Sequence, residues 1–345
     1  MSNGRTAFAA CCLAALTGIA AAAPGVKAYG TLDLGFVRAQ VRGVATNWSV
    51  GAAAATDSWL GIRAHDDLSP KLGFTVVLEQ GFSPDTGALA DPARSFNRQA
   101  WLGASLPLGE ARVGRQTSAM HDMMVRLDSF GMSGLGSLLN NVTGHADRFD
   151  NLVSWRFRPI RGWSWQVQFA PGEQYEPNYG KNRYVVGAEY LRRQWYLAVC
   201  HAQQNSADAL RKVNSTLAGV AYAQGPDRVA LALFRGDDNG SNVELSIDGK
   251  YYSVWSLSVE HRPSDVLTLA AGVGGAVDTG PARDHARQWS LLARRDLSWR
   301  TSVYALMAQL NNRNGARFTL GRDTAVAMPP GGRQIGLQIG LRHRF

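Results

Sequence analysis

The last twelve residues of the chain, QIGLQIGLRHRF, alternate between apolar and polar positions and end on an aromatic residue. Ile335, Leu337, Ile339, Leu341 and Phe345 form the apolar row, which only His343 breaks, and glutamine, glycine and arginine residues lie between these positions. Because successive side chains of a strand point to opposite faces, this period of two predicts a β-strand with one apolar face. That face could pack on a protein core or contact lipid, and one strand does not distinguish the two.

The same alternation recurs along the chain between turn signals, and it predicts sixteen strands. The predicted strands cover 29–37, 58–65, 73–80, 98–106, 111–117, 151–157, 163–170, 183–190, 195–203, 215–223, 228–234, 251–261, 266–274, 287–293, 299–310 and 334–345. No segment of useful length shows the period of a helix. The pattern therefore predicts an all-β protein, and the even strand number is typical of membrane barrels.

The connections between the predicted strands alternate in length. Tight turns such as DDLSPK, PLGE and QGPD alternate with longer polar loops such as RGDDNGSNVELSIDGK. An up-and-down barrel across an outer membrane has short turns on one rim and long loops on the other, whereas a soluble sandwich does not need this difference. Backbone groups in lipid must all be paired, so the sheet is expected to close around a water-filled lumen.

The N-terminus predicts a secretory signal peptide at residues 1–22, with cleavage near 22/23, followed by a single barrel domain at 23–345. Arg5 precedes a weakly apolar stretch at 7–19 and a run of small residues at 20–23. A membrane anchor is the alternative, but the stretch is rich in alanine rather than leucine and phenylalanine. Two of the three cysteines lie in this segment, so Cys200 is left without an internal disulfide partner.

The sequence gives little support for a catalytic, metal-binding or nucleic-acid-binding function. The seven histidines show no metal-binding spacing, and no G-x-S-x-G motif is present. The formal net charge of +9 could suggest nucleic-acid binding, but an exported chain of alternating strands argues against it. We therefore expect no catalytic residues, metal, cofactor or nucleic-acid partner, although a barrel enzyme of the lipase or protease type stays open as an alternative.

Several stretches of the chain resemble those of a known family. SWLGIRAHDDLSPKLGFTVVLEQGF, SFNRQAWLGASLPLGEARVGRQ, RFDNLVSWRF, RRDLSWRTSVYALMAQLNN and the terminal GLRHRF resemble, in the same order, stretches of the general diffusion porins of Gram-negative bacteria, in particular the β-proteobacterial type. The resemblance spans 28–345. It implies a 16-stranded antiparallel transmembrane β-barrel with an inward-folded third loop, which passes small hydrophilic solutes and ions across the cell outer membrane.

The resemblance also implies partners for the chain. Such porins form homotrimers and contact outer-membrane lipid and lipopolysaccharide. Their terminal aromatic residue, here Phe345, is read by the barrel-assembly machinery. A substrate-specific channel would differ only in the side chains that line its constriction, so this alternative also stays open.

The resemblance assigns a constriction between the barrel wall and the third loop. It places wall arginines at Arg98 and Arg148, and it implies an acidic residue on the loop, at Asp128, that faces them. Trp59 stands where the family usually carries a further wall arginine, and Arg63 lies on the same face by alternation. These residues imply modest anion selectivity, weaker than in relatives that keep an arginine in place of the tryptophan.

The alternation of the flanking residues adds an expectation about orientation. Arg98 is two residues from Ala100 and therefore opposite Trp101, and Arg148 is opposite Trp155. Both arginines point into water if the two tryptophans face lipid. The third loop, roughly 118–149, is long enough to be functional, and Asp122 is a second acidic candidate on it.

Overall fold

A computed structural model describes residues 25–52, 57–143, 147–173, 180–207, 209–237, 251–321 and 326–345. The predicted signal peptide at 1–22 lies outside the described residues. The strands are β1 (Val26–Val41), β2 (Ala45–Ala52), β3 (Trp59–Ser69), β4 (Leu72–Gly81), β5 (Gln99–Leu106), β6 (Gly109–Thr117), β7 (Arg148–Phe157), β8 (Trp163–Ala170), β9 (Arg183–Arg192), β10 (Trp195–Asn205), β11 (Lys212–Gln224), β12 (Asp227–Asp237), β13 (Tyr251–Ser264), β14 (Leu267–Asp278), β15 (Ala286–Asp296), β16 (Thr301–Asn312) and β17 (Arg333–Arg344).

The strands form one closed antiparallel barrel. From β3 onward each strand pairs with the next one along the chain, and β17 returns to pair with β1 from Thr31↔Arg344 to Val41↔Gln334. Closure leaves no open sheet edge, which a strand surrounded by lipid requires because lipid offers no hydrogen-bond partners. The C-terminal strand is therefore an ordinary member of the barrel wall.

The barrel wall has sixteen strand positions, as predicted, although the described residues form seventeen strands. β2 pairs with Leu34–Val41 of β1 and β3 pairs with Val26–Thr31, so β2 and β3 lie end to end along the same side of β1. The predicted strands leave 38–57 as a connection, and this prediction is wrong because β2 lies within it. The strand carries only two large apolar residues, Trp48 and Val50, among small and polar ones, so its alternation is weak.

The outer face of the barrel is apolar and exposed, and its inner face is largely buried. In β10 the side chains of Leu197 and Val199 are exposed, whereas Ala198 and Cys200 between them are buried. In β1 Phe36 is 70% exposed while Asp33 is fully buried. Exposed aliphatic rows on the convex surface are the faces that contact lipid in a membrane barrel.

The third loop, between β6 and β7, folds into the barrel and contains two helices, α1 (Ala119–Leu127) and α2 (Leu138–Val142). The sequence predicts no helix here, and this prediction is wrong. The helix was not predicted because α1 has fewer than three turns, so its helical period extends over few residues. Ser118 caps α1 by accepting a hydrogen bond from the His121 backbone N–H at 3.1 Å. Among the described residues no helix is long and apolar enough to cross a membrane.

The inner loop is fixed to the wall by apolar side chains that contact glycines. α1 packs on β9–β12 and α2 on β13 and β14, with the methionines of α1 fully buried. A Cβ added to Gly187 of β9 would lie 2.6 Å from Cε of Met123, and one on Gly272 of β14 would lie 2.6 Å from Cε2 of Phe130. Glycine is needed at these positions because the loop side chains occupy the space of a wall side chain. The loop therefore narrows the lumen from the β9–β14 side.

Candidate pore constriction

Arg98 and Trp59, which the sequence analysis singles out separately, lie side by side in the structure. The guanidinium carbon of Arg98 is 5.3 Å from the centroid of the Trp59 ring, within the range of a cation–π contact. Nη1 of Arg98 donates to Oδ2 of Asp57 at 2.8 Å, and Nε lies 3.8 Å from Oε2 of Glu79. Tyr29 meets the Trp59 ring edge-on at 5.1 Å. The arginine is thus held by two acidic residues and an aromatic pair.

Arg148, at the start of β7, belongs to the same charged region. Its Nη1 is 3.9 Å from Oδ2 of Asp147, and it also interacts electrostatically with Arg98 and Asp57. Only 15% of the Arg148 side chain is exposed, the same fraction as for Arg98. The structure therefore brings the two predicted wall arginines together at one level of the barrel.

The predicted reason for their orientation is wrong, because Trp101 does not face lipid. Its side chain is 6% exposed and lies under the guanidinium of Arg112 at 4.2 Å, while the adjacent Leu102 is 51% exposed and occupies the outer face. Arg98 precedes the first residue of β5, so the alternation of that strand does not determine its direction.

The alternation of β7 is also interrupted before it reaches Arg148. Asn151 has a left-handed backbone with φ of 57°, and the pairing of β6 with β7 shifts register between Gly114 and Gln116. Phe149 is consequently buried in the cluster under the inner loop. A bulge of this kind changes the faces on which the preceding side chains lie. Alternation along the regular part of β7 therefore does not give the direction of Arg148.

Arg63 and Trp59 lie on the same face of β3. It is exposed, and its charge acts on the phenol of Tyr29. It makes no ion pair or side-chain hydrogen bond with any residue that the structure describes. Its guanidinium is therefore the most accessible of the three predicted cations.

Asp128 does not face these arginines, contrary to the expectation from the resemblance. It is 5% exposed and ends α1, where its two carboxylate oxygens accept the backbone N–H groups of Phe130 at 3.1 Å and Met132 at 2.9 Å. Burial raises the pKa of the Asp128 carboxyl above its ordinary value, and the donated hydrogen bonds partly oppose this rise. The residue closes a turn of the inner loop because its side chain is short enough to reach its own backbone.

Asp122 is the loop carboxylate that meets the wall. Its Oδ2 lies 3.4 Å from Nη2 of Arg156 on β7, which also donates to Oε1 of Gln166 at 3.1 Å. The sequence signal that would have favoured Asp122 is helical spacing. Met120, Met123 and the other buried residues of α1 define one face, and Asp122 is on the opposite one.

Tyrosine hydroxyls cover three acidic side chains of the wall, and the sequence did not predict this feature. Tyr29 donates to Glu79 at 2.8 Å, and Tyr304 donates to Asp33 at 2.6 Å. The Tyr196 hydroxyl similarly donates to Glu189 at 3.1 Å. These carboxylates are at most 10% exposed. The negative charge of these three side chains is thereby withdrawn from the water of the lumen, whereas Asp57 and Asp150 stay 56% and 41% exposed and are paired with arginines.

Comparison with known proteins identifies the family. A family model described as Gram-negative porin matches residues 7–315. The chain belongs to the Gram-negative porin family. An outer membrane porin protein of Bordetella pertussis is 27% identical over 99% of this chain and 100% of its own length. Outer membrane porin protein 32 of Delftia acidovorans is 24% identical, with 96% and 97% covered.

Solved structures share the porin fold. The anion-selective porin from Comamonas acidovorans superimposes with a TM-score of 0.80 at 21% identity, covering 93% of this chain and 99% of that one. OmpF of Salmonella typhi superimposes with a TM-score of 0.67 at 12% identity, covering 93% and 97%. The predicted 16-stranded antiparallel barrel is confirmed.

The porin is a channel of the outer membrane and not an enzyme, so the lipase and protease alternatives are excluded. Over the part of the chain that the structure describes, no group of three or more His, Cys, Asp or Glu residues is placed to hold a metal ion.

Proposed function

We propose that this porin is a modestly anion-selective diffusion channel whose constriction lies between the inner loop and the wall that carries Arg98, Arg148 and Arg63. The observation that carries the proposal is that four carboxylates of the wall and the inner loop are covered, although Asp57 beside Arg98 stays exposed. Tyrosines cover Glu79, Glu189 and Asp33, and Asp128 is turned into its own loop. An aqueous lumen with accessible arginines and covered carboxylates has a positive potential.

The residues of the constriction contribute unequally in this proposal. Arg63 supplies the most accessible of these three positive charges, and Arg98 and Arg148 add charge that burial partly shields. Asp122 supplies the opposing negative charge on the loop, in place of the Asp128 expected from the resemblance. Trp59 adds an uncharged ring beside Arg98, which reduces the anion preference relative to a porin with an arginine there.

The assembled form that we propose is a homotrimer in contact with outer-membrane lipid and lipopolysaccharide, after removal of residues 1–22. Trimers are found among similar folds, such as the trimer form of OmpT of Vibrio cholerae. A closed barrel resists detergent until it is heated because all of its strand hydrogen bonds are satisfied. If the folded barrels also stay associated in detergent, an unboiled gel sample should migrate as an oligomer, and a monomer band alone would argue against the trimer.

The experiment that tests the selectivity is the zero-current potential in planar bilayers under a roughly tenfold KCl gradient. The sign of the potential should show that chloride crosses faster than potassium. Because bulk salt at about 0.1 M screens charges beyond about 10 Å, the preference should weaken as the mean KCl concentration rises. A potential with the sign of potassium preference would overturn the proposal.

A further inference from the structure

The lumen contains a second basic region, separate from the constriction. A cavity of about 460 Å³ lies under the inner loop, among strand ends that lead into the short turns. We call it the sub-loop chamber. Six arginines line it, and they come from the inner loop and five parts of the wall: Arg126, Arg193, Arg228, Arg262, Arg294 and Arg342. Short turns face the periplasm in outer-membrane barrels, so the chamber is on the exit side of the constriction.

Acidic groups offset only part of this charge. Asp128 and Glu260 are the carboxylates in the chamber lining. Asp128 is engaged by backbone N–H groups, and Glu260 is paired with Arg262 at 2.7 Å. Outside the lining, Glu189 lies 3.7 Å from Arg126, Asp296 lies 3.4 Å from Arg294, and Asp33 interacts electrostatically with Arg342. The chamber therefore keeps an excess of positive charge after its pairs are counted.

Some of the arginines hold the fold in place. Arg228 donates to Oγ of Ser129 at 3.2 Å and to the carbonyl oxygen of Arg126, so it attaches the end of α1 to β12. Arg294 donates to Oγ1 of Thr268 at 3.1 Å and lies 3.4 Å from Asp296. The main role of these two side chains is therefore to stabilise the fold.

Arg193 and Arg342 have no such role. Arg193 is in the exposed turn between β9 and β10, and Arg342 is on the inner face of β17, next to the outward-facing Leu341. Neither forms an ion pair or side-chain hydrogen bond with a residue that the structure describes. Both line the chamber, and no hydrogen bond to a described residue occupies their guanidinium donors, although Arg342 is partly buried and interacts electrostatically with Asp33 and Asp296.

We infer that the sub-loop chamber is a binding station for small dianionic solutes, with phosphate monoesters as the simplest class. This inference rests on the proposed anion-selective channel, because such solutes must first pass the constriction. Guanidinium groups bind phosphate oxygens through paired hydrogen bonds, whereas chloride offers no matching geometry. A dianion can contact two arginines from different strands at once. The volume falls within the range of small-molecule sites, about 300–1,000 Å³.

The test is block of chloride current through single channels of the full-length porin by glycerol 3-phosphate, with glycerol as the neutral control. At about pH 8 the ester is a dianion, because its second pKa is near 6. We expect a saturable reduction of the chloride current at about pH 8 that is weaker at about pH 5, where the ester carries a single charge. Glycerol at the same concentration should give no such reduction.

Two substitutions remove the unpaired guanidinium groups. Arg193→Asn suits the left-handed backbone at this position, where φ is 54°, and Arg342→Gln keeps a polar side chain on the inner face. We expect each to raise the half-blocking concentration about fivefold or more. Arg295→Gln, which removes the same charge from the exposed outer face of β15, is the matched control and should leave the half-blocking concentration unchanged.

The outcomes separate this inference from the proposed function. The inference alone would be overturned if the channels are anion-selective but glycerol 3-phosphate does not block them. Equal block of wild type, Arg193→Asn and Arg342→Gln would also overturn it. Block that depends on both arginines in a channel with potassium preference would support the chamber and overturn the proposed selectivity. Equal block by glycerol would show obstruction by size and would also overturn the chamber.

Discussion

The guanidinium of Arg98 lies 5.3 Å from the centre of the Trp59 ring, so an aromatic side chain holds a wall cation where the resemblance to other porins implies a second arginine. Tyr29 supports the ring from the side. A cation–π contact of this kind is worth about 0.5–1 kcal/mol at exposed sites and more when it is desolvated. Trp59 therefore fixes the direction of one positive charge instead of adding another.

Replacement of this ring by a charge should increase anion preference. In Trp59→Arg a second guanidinium would stand beside Arg98, and at separations of several ångströms in water this changes ion energies by about 0.5–1 kcal/mol. We expect the chloride-to-potassium permeability ratio to rise about two- to fivefold, as measured by the zero-current potential. Trp59→Phe keeps an aromatic face and is the control. An unchanged ratio in Trp59→Arg would mean that residue 59 is outside the constriction.

Neutralisation of the wall arginines should have the opposite effect. Arg98→Gln and Arg148→Gln should each lower the chloride-to-potassium ratio by up to about fivefold, and the two changes should be similar because the side chains are equally shielded. Arg295→Gln on the outer face serves again as the control for loss of one charge. If all three variants give the wild-type zero-current potential, the two arginines do not set the selectivity.

The two acidic residues of the inner loop should behave differently. Asp122→Asn removes a partly exposed charge next to Arg156 and should raise the chloride-to-potassium ratio. Asp128→Asn should barely change the ratio, but it loses a carboxylate acceptor of two backbone hydrogen bonds at a cost of about 1–3 kcal/mol. The checks are the zero-current potential and the urea concentration at half-unfolding. A larger selectivity change in Asp128→Asn than in Asp122→Asn would contradict this assignment.

The glycine contacts of the inner loop predict an effect on conductance. A side chain on Gly219 of β11 would occupy the position of the Leu127 side chain, so Gly219→Val should displace α1 at a cost of about 1–3 kcal/mol while the barrel stays closed. Single-channel conductance should change and become more variable. Gly51→Val is the control because nothing lies within 4 Å of its added Cβ. Equal conductance in both variants would show that the loop is not held through this contact.

The terminal aromatic residue should matter for assembly more than for stability. Phe345 exchanges backbone hydrogen bonds with Gly30 at 3.1 and 3.2 Å, yet its side chain is 48% exposed. Deletion of Phe345 should reduce the rate of outer-membrane insertion in cells severalfold, with little change in the heating temperature that unfolds protein refolded in detergent. Normal insertion of the deletion variant would show that the terminal residue is not recognised during assembly.

The class of the fold could be predicted from local patterns in the sequence. Alternation is a local property of each strand, and unequal connection lengths indicate which rim each turn belongs to, so sixteen barrel positions and a membrane environment could be predicted without tertiary information. The long segment after β6 likewise indicated a functional loop by its length. The chain did not reveal β2 or α1, because each has too few large apolar residues for its period to stand out.

The charges that face the water could not be predicted in the same way, because they depend on contacts between distant segments. The bulge at Asn151 breaks the alternation that leads to Arg148, and Trp101 turns inward under Arg112. Asp128 looks like a pore acid in the sequence, but backbone N–H groups of its own loop engage it. The sub-loop chamber joins arginines from strands that are far apart in the chain. Charge in a lumen depends on register, bulges and partners across the barrel, and these are set by pairing between distant segments.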